Sequence, residues 1–208
     1  MKKIMFNDKY LLTQEVLKGR KTQTRRVLNP TMFFKRMKTY EGWSNEDISA
    51  WKRSCNRRLC EAQGNTLQQM LDYALSSSRY KVGEVVAVAQ RYKDIALDLP
   101  VELAAELIKQ PGWTNKMFVK ADLMPNRIRI TNIRIERLQD ISEEDCLAEG
   151  IVDFESRINK AHFYSIPDES ATYGTAKKPY SLLIDKIAGK GTWKNNPYVF
   201  VYDFELID

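Results

Sequence analysis

A run of eight residues near the start of the chain concentrates the side chains best suited to hold a charged or polar ligand. Residues 19–26, GRKTQTRR, contain four cationic side chains and three neutral side chains that form hydrogen bonds. Arginine and lysine bind anions, and threonine and glutamine both donate to and accept from polar groups. The segment therefore predicts a site for an anion or a polar ligand.

The basic residues of the chain are concentrated in the same region. The 208-residue protein has a net charge of +6. Between residues 18 and 58, twelve Lys or Arg residues accompany three acids, a local balance of +9, whereas the rest of the chain is near −3. This pattern is typical of a surface that faces nucleic acid or phosphate, although a solvated basic face has the same composition. Trp43 and Trp51 suit base stacking, and equally the buried side of one helix.

Local signals predict the elements that position this basic run. Apolar periodicity predicts a helix over residues 8–17, and Gly19 suits the left-handed conformation that ends a helix. The polar, basic stretch at about 29–80 is interpreted as an insertion that is helical in part. Its predicted apolar face consists of Leu67, Met70, Leu71 and Leu75.

The rest of the chain alternates strand and helix signals. Residues 85–89 predict a buried strand, residues 100–109 a helix with proline at its start, and residues 127–138 a long strand. Because Ile128 and Ile130 have one parity and Ile133 and Ile135 the other, we predict a bulge near residues 131–132. A short helix within 140–150, capped by Ser142, precedes a final strand over 198–206 whose aromatic residues face the core.

Three segments, in this order along the chain, carry a family resemblance. They are the Gly-x-Lys-x-x-Thr-x-Arg pattern of residues 19–26, the strand 127–138 running into QDISEED, and the closing W-x-x-N-P-Y-V-F-V of residues 193–201. Together they resemble the ASCH family of the PUA-like superfamily, and most closely its longer members common in phages and prophages. The similarity covers about residues 4–28, 81–90, 117–151 and 179–206. The basic insertion is unmatched.

The resemblance implies an α+β fold, a small open PUA-like β-barrel with flanking helices. A single domain over residues 1–208 would carry the helical, basic insertion at about 29–80. It further implies a cleft beside the first helix that binds RNA or a modified nucleoside or nucleotide. Compact bacterial members include amidohydrolases that remove acetyl from N4-acetylcytidine with a lysine, a threonine and a glutamate. By motif position these are Lys21, Thr24 and Glu149.

The types of these three residues are compatible with that chemistry. A threonine hydroxyl is a poor nucleophile at neutral pH, so Thr24 needs a nearby base, and Lys21 can serve only if burial or neighbouring cations lower its pKa. Glu149 would then protonate the leaving amine or orient water. Because residues 21 and 24 point to opposite faces of an extended strand, a shared pocket requires a turn between them.

Simpler explanations of the same residues stay open at this level. Lys21 and Thr24 suit ligand binding without catalysis or a structural loop, and Glu149 suits an exposed position or an ion pair with an arginine. Arg26 is as suited to a buried ion pair as to a ligand, and Trp193 to the core as to base stacking. The residues predicted to bind ligand or line the cleft are Arg20, Arg25, Arg26, Lys120, Arg127 and Trp193. The sequence favours a binding module for RNA or a modified nucleoside, with an amidohydrolase of N4-acylated cytidine-type nucleosides as the alternative.

No metal or organic cofactor is expected. Cys55, Cys60 and Cys146 are odd in number, the first two are spaced too widely for a common zinc knuckle, and the single histidine, His162, is distant in sequence. A Gly-rich phosphate loop and a Ser-His-Asp order are both missing. Since no apolar run approaches the roughly 20 residues of a membrane helix and the N-terminus does not resemble a signal peptide, we expect a cytoplasmic protein. The oligomeric state is not predicted.

Overall fold

The computed structural model describes residues 1–28, 67–156 and 160–207, which form an α+β fold. Its main strands are β1 Lys3–Ile4, β2 Gln23–Val27, β3 Val85–Val88, β4 Arg127–Arg137 and β7 Tyr198–Ile207, and a smaller pair consists of β5 Val152–Glu155 and β6 His162–Ser165. The main sheet has the order β1-β3-β4-β7-β2, in which only the described pair β1 and β3 is parallel. Within the described residues the edge strands β1 and β2 do not pair with each other, so this sheet is open.

The helices of the described ranges surround this sheet. They are α1 Leu12–Leu17, α2 Leu67–Ser76, α3 Val101–Leu107, α4 Glu143–Ala148, α5 Lys177–Ala188 and α6 Thr192–Asn195. The predicted first helix is divided, because Leu11 has a left-handed φ of 52° between a 3-10 turn at Asp8–Tyr10 and α1. Gly19 has φ 71°, as predicted, and turns the chain from α1 toward β2.

The predicted bulge in β4 is confirmed and decides which residues face which side of the sheet. Pairing with β7 shifts register between Ile130 and Asn132. Ile128 and Ile130 are fully buried before the shift, and Ile133 and Ile135 take over the same face after it. The bulge therefore turns residues 132, 134 and 136 to the opposite face. That face also carries the side chains of residues 23 and 25 on β2.

Strand β7, next to the edge strand β2, is buried on both sides. Tyr202 and Phe204 lie in the core as predicted, but Val199 and Val201 on the opposite face are fully buried as well. The prediction that the aromatic face is the core face is therefore incomplete. The reason is topological. Because β7 lies inside the sheet, between β4 and β2, other parts of the chain pack against both of its faces.

The other local predictions have mixed outcomes. Strand β3 and helices α3 and α4 are confirmed, and Ser142 caps α4 by accepting from the Asp145 backbone N–H at 3.0 Å. Helix α2 is also confirmed, but Leu75 is exposed and Ala74 is buried, so the predicted apolar face is wrong at Leu75. Residues 29–66, with Trp43, lie outside the described residues, as do the side chains of residues 67 and 70. Trp51, Cys55 and Cys60 fall in the same range.

Candidate functional site

A buried ion pair joins two predicted site residues that are 128 residues apart in the chain. Lys21 stands just before β2, and Glu149 is the C-terminal cap of α4. The Lys21 Nζ atom donates to Glu149 Oε2 at 2.6 Å, to the Glu149 carbonyl at 2.7 Å and to the Gln23 carbonyl at 2.7 Å. The Thr22 backbone N–H also donates to the Ala148 carbonyl at 2.9 Å. The structure thus brings Lys21 and Glu149 together, as the resemblance implies.

Burial dominates the electrostatics of this lysine. The Lys21 side chain is only 1% exposed. Burial lowers its pKa, and the nearby Glu149 carboxylate raises it without restoring the usual value, while the charges of Arg26 and Arg25 lower it further. A lysine whose pKa is lowered gives up its proton more readily, which is the property required of a general base.

A glycine allows the close approach of the two segments. Gly150 follows Glu149 with φ 102°, a conformation that L side chains rarely adopt. A Cβ at this position would lie 3.4 Å from a Leu12 methyl and 3.5 Å from the Lys21 Cδ. Gly150 therefore ends α4 and also leaves room for the Lys21 stem.

The Lys21 amine also borders the aromatic residues on the Thr24 face of the sheet. Its Nζ atom is 5.8 Å from the centroid of the Phe6 ring, which packs on Phe204 at 5.6 Å. Phe204 shares its face of β7 with Tyr202, and Tyr202 is the cross-strand partner of Thr24. The turn that a shared pocket requires is not found, since residues 21 and 22 lead directly into the strand that begins at residue 23.

Thr24 is buried, and its hydroxyl has no hydrogen-bond partner among the described residues. Its neighbours on the sheet are Tyr202 and, two residues along the same strand face, Arg26. A buried hydroxyl normally has a partner, so Thr24 is a candidate for contact with a ligand.

The opposite face of β2 carries a network of paired charges. The Arg25 guanidinium is fully buried, and its Nη2 atom donates to Glu136 Oε1 at 2.6 Å and to Asp145 Oδ2 at 2.7 Å. Its Nη1 atom donates to Gln23 Oε1 and lies 3.4 Å from Glu149 Oε1. Burial lowers the pKa of Arg25, but the Glu149 charge and the hydrogen bonds to Glu136 and Asp145 outweigh burial and raise it above its usual value. Arg25 was predicted to bind ligand; the structure instead places it in an internal ion-pair network.

A second arginine closes this network toward solvent. Arg134 donates to Glu136 Oε2 at 3.0 Å, to Asp145 Oδ2 at 2.9 Å and to Asp203 Oδ2 at 2.7 Å. The Gln23 amide joins the same two aspartates, at 3.1 Å to Asp145 and 2.6 Å to Asp203. Glu149 contacts this network through Arg25 and contacts Lys21 through its other carboxylate oxygen.

The remaining predicted residues have separate sets of contacts. Arg20 is exposed and pairs with Glu15 at 2.5 Å, and Arg26 is exposed and donates to the Met5 carbonyl at 2.6 Å. Trp193 is half-buried and packs edge-on against Tyr180, at 6.1 Å between ring centroids.

Lys120 and Arg127 make no hydrogen bond or ion pair with Lys21 or Glu149 among the described residues. The Lys120 backbone N–H donates to the Tyr92 hydroxyl, beside a separate cluster of core residues. Arg127 begins β4 opposite Ile207. That these two residues line the cleft stays a prediction.

Sequence reasoning missed the residues that support the site. Gln23 and Arg25 are two residues apart, as are Arg134 and Glu136, so each pair lies on one face of its strand. This spacing could have predicted a polar face on both strands. Tyr180 gave no such signal. Its hydroxyl is buried without a hydrogen-bond partner in the described structure, and burial raises its pKa well above the usual value, with Glu149 adding to the effect.

The described residues offer little to a metal ion. They contain no group of three or more His, Cys, Asp or Glu side chains that could hold one. Burial raises the pKa of the free Cys146 thiol to about 12, so the thiolate that metals bind is disfavoured. A helix long and apolar enough to cross a membrane is likewise missing from the described ranges.

Comparison with known proteins gives no match to this chain, whether against protein-family models, curated proteins or solved structures.

Proposed function

We propose that the protein is an amidohydrolase that removes the acyl group from an N4-acylated cytidine-type nucleoside. The observation that carries this proposal is the buried Lys21, 2.6 Å from Glu149 and three residues before Thr24, whose hydroxyl has no hydrogen-bond partner among the described residues. A lysine of lowered pKa is the kind of base that activates a weak nucleophile such as a threonine hydroxyl.

The reaction divides into two acyl transfers. Neutral Lys21 takes the Thr24 proton as the hydroxyl oxygen attacks the acyl carbon, and the Lys21–Glu149 pair then passes that proton to the departing 4-amino group. The products of this step are cytidine and an ester on Thr24. Water attacks the ester carbon and gives one proton to Lys21, which returns it to the Thr24 oxygen as the carboxylic acid leaves. The short Lys21–Glu149 contact lets one proton be shared between the two groups.

The location of the pair also favours a functional role. Removing two charges from water is costly, and buried ion pairs often contribute little or nothing to net stability. Apolar residues in these positions would cost the fold less. Because the pair is buried and the pKa of its lysine is lowered, a chemical role explains it better than a contribution to stability.

A binding module without chemistry is the second candidate, and one observation favours it. All three protons of the Lys21 ammonium have acceptors, which is also what a purely structural charged lysine requires. In this case RNA or a modified nucleoside would bind at Thr24 and Arg26 without turnover. RNA affinity would then fall steeply with salt.

The family assignment belongs to the same proposal. The open sheet, the bent long strand and the Lys21–Glu149 contact are compatible with a PUA-like ASCH domain. The three segments that carry the resemblance add support, since they contribute residues to β2, β4 and β7 and to the Lys21–Glu149 pair.

A turnover screen tests the proposal. Purified protein is incubated with N4-acetylcytidine and related acylated nucleosides, and products are identified by mass spectrometry. We expect deacylation by the unaltered protein and its loss in Lys21→Met. Lys3→Met is the matched control, because Lys3 also donates to two main-chain carbonyls, those of Met117 and Val119, but far from Glu149.

The outcomes separate the two candidates. Deacylation in Lys3→Met but not in folded Lys21→Met supports the enzyme. Full activity in Lys21→Met removes this lysine from the mechanism. Absence of turnover across the panel, with salt-sensitive RNA binding in the same preparation, selects the binding module.

A further inference from the structure

Two tyrosines extend the Thr24 face of the sheet. The rings of Tyr80 and Tyr202 meet edge-on, with 5.3 Å between their centroids, and Tyr202 is the cross-strand partner of Thr24. The Ser78 hydroxyl lies 2.9 Å from that of Tyr202. The segment that precedes β3 is thereby fixed beside the candidate site.

Two arginines flank this tyrosine pair. The Arg79 Cζ atom lies 5.6 Å from the centroid of the Tyr80 ring. Arg26 lies on the Thr24 face of β2 opposite Phe200, whose ring stacks on Tyr202 at 5.9 Å. Both arginines thus border one surface, which continues from Thr24.

In the described part of the chain, these two charges differ from that of their neighbour. Arg26 and Arg79 are both exposed, and no described carboxylate lies within ion-pair distance of either. Lys2, which also lies over the Tyr80 ring, is neutralised by Glu84 at 2.9 Å. The described residues thus present two guanidinium groups at this surface without a paired carboxylate.

The electrostatics of the tyrosines agree with this geometry. Burial raises the pKa of both Tyr80 and Tyr202, and the charges of Arg26 and Arg79 act on both hydroxyls in the opposite direction. The positive potential of the two arginines thus overlaps at the tyrosine pair.

We propose that Arg26 and Arg79 form a phosphate subsite, so that the preferred ligand is a phosphorylated nucleoside rather than the free nucleoside. This inference rests on the proposed function, which places the base at Thr24. Residues 24 and 26 are about 7 Å apart along the strand, and the arginine side chain extends farther. Such a span suits a phosphate that is separated from the reacting amide by a ribose and a base. Guanidinium groups recognise phosphate oxygens in bidentate fashion.

Calorimetric titration tests the subsite with ligands that are not turned over. Cytidine, cytidine 5′-monophosphate and a short oligocytidylate are titrated into the unaltered protein, Arg79→Gln and Arg129→Gln. We expect the monophosphate to bind about tenfold or more tightly than cytidine, as one charge-assisted contact provides. This ratio should approach one in Arg79→Gln. It should persist in Arg129→Gln, because Arg129 is exposed and paired with Glu205 at 3.0 Å on another part of the sheet.

The affinity for the oligocytidylate, compared with that for the monophosphate, identifies the source of the phosphate. Tighter binding of the oligonucleotide assigns a phosphodiester of RNA, and tighter binding of the monophosphate assigns a free nucleotide. A second variant, Arg26→Gln, should reduce the same ratio and guards against an indirect effect of Arg79→Gln.

Failure of this inference is distinguishable from failure of the proposed function. Equal affinity for cytidine and its monophosphate in the unaltered protein overturns the subsite and leaves the nucleoside site intact. A ratio unchanged in both Arg79→Gln and Arg26→Gln also overturns it. Lack of binding by all three ligands overturns the nucleoside site and the subsite together.

Discussion

The two faces of β2 differ in how their charges are satisfied. Gln23 and Arg25 point to one face, where three carboxylates from two other segments surround the guanidinium. Thr24 and Arg26 point to the other, where the hydroxyl has no hydrogen bond and the arginine no carboxylate among the described residues. Adjacent arginines in the sequence therefore have different surroundings, and only Arg25 belongs to the internal network.

Glu149 connects the two faces. Its Oε2 atom accepts a hydrogen bond from the Lys21 Nζ atom at 2.6 Å, and its Oε1 atom lies 3.4 Å from the Arg25 Nη1 atom. The supporting network thus orients the glutamate, and the glutamate in turn contacts the lysine. Charge pairing, rather than charge itself, therefore distinguishes Arg25 from Arg26 in the described structure.

Replacing Arg25 should produce the largest effect, on stability. Arg25→Met leaves Glu136, Asp145 and Glu149 without their shared cation, and breaking such a buried pair costs about 3–5 kcal/mol. Denaturant titration measures the free energy of unfolding. The matched control is Arg129→Met in the exposed pair with Glu205, which should cost about 1 kcal/mol or less.

Equal losses in the two variants would remove the distinction between the faces. A small loss in Arg25→Met, in particular, would show that the carboxylates rearrange around Arg134 and that the network does not depend on Arg25.

Replacing Thr24 should have the converse effect, on activity with little loss of stability. Thr24→Val keeps the shape of the side chain and removes a hydroxyl that makes no hydrogen bond within the described structure. We expect deacylation to fall by about 10²-fold or more, since the nucleophile is lost. Thr22→Val is the control, because Thr22 is exposed and its backbone, not its side chain, contacts Ala148 and Phe204.

Steady-state kinetics and thermal unfolding of both variants measure this difference. Retained turnover in Thr24→Val would exclude the hydroxyl as nucleophile. A large loss of stability would instead assign it a structural role and make the two faces alike.

Local rules predicted much of the framework that positions the site. The parity change among the isoleucines located the β4 bulge, Ser142 marked the start of α4, and Gly19 marked the end of α1. Each depends on backbone geometry within a few residues, which is why sequence alone was sufficient. The resemblance placed Lys21 and Glu149 in one site, and the structure brings them into contact.

The partners of charged residues could not be predicted in the same way. Arg25 pairs with Glu136 and Asp145, which are 111 and 120 residues away along the chain. Such contacts depend on strand order and on the bulge, so composition suggested a ligand site where an ion-pair network exists.

The smallest expected effect is the dependence of stability on pH, which separates the two cations that Glu149 joins. The pKa of Arg25 is raised, so Arg25 stays charged throughout the accessible range, whereas burial lowers the pKa of Lys21. Between the lowered pKa of the folded state and the usual lysine pKa of 10.5, the unfolded chain binds more protons at Lys21 than the folded chain does. Stability from this group therefore rises with pH in that window, by up to about 1.4 kcal/mol per pH unit, and is lost as pH falls through the folded pKa.

The difference in unfolding free energy between the unaltered protein and Lys21→Met isolates this contribution. Other groups with shifted pKa values, such as Tyr180 and Cys146, titrate in both proteins and cancel to first order. Denaturant titrations at alkaline pH should show the unaltered protein gaining stability relative to Lys21→Met as pH rises. Parallel curves would mean that Lys21 holds its proton as firmly as an exposed lysine does. The lysine would then resemble Arg25 as a permanent structural cation, and the base at Thr24 would have to be sought elsewhere.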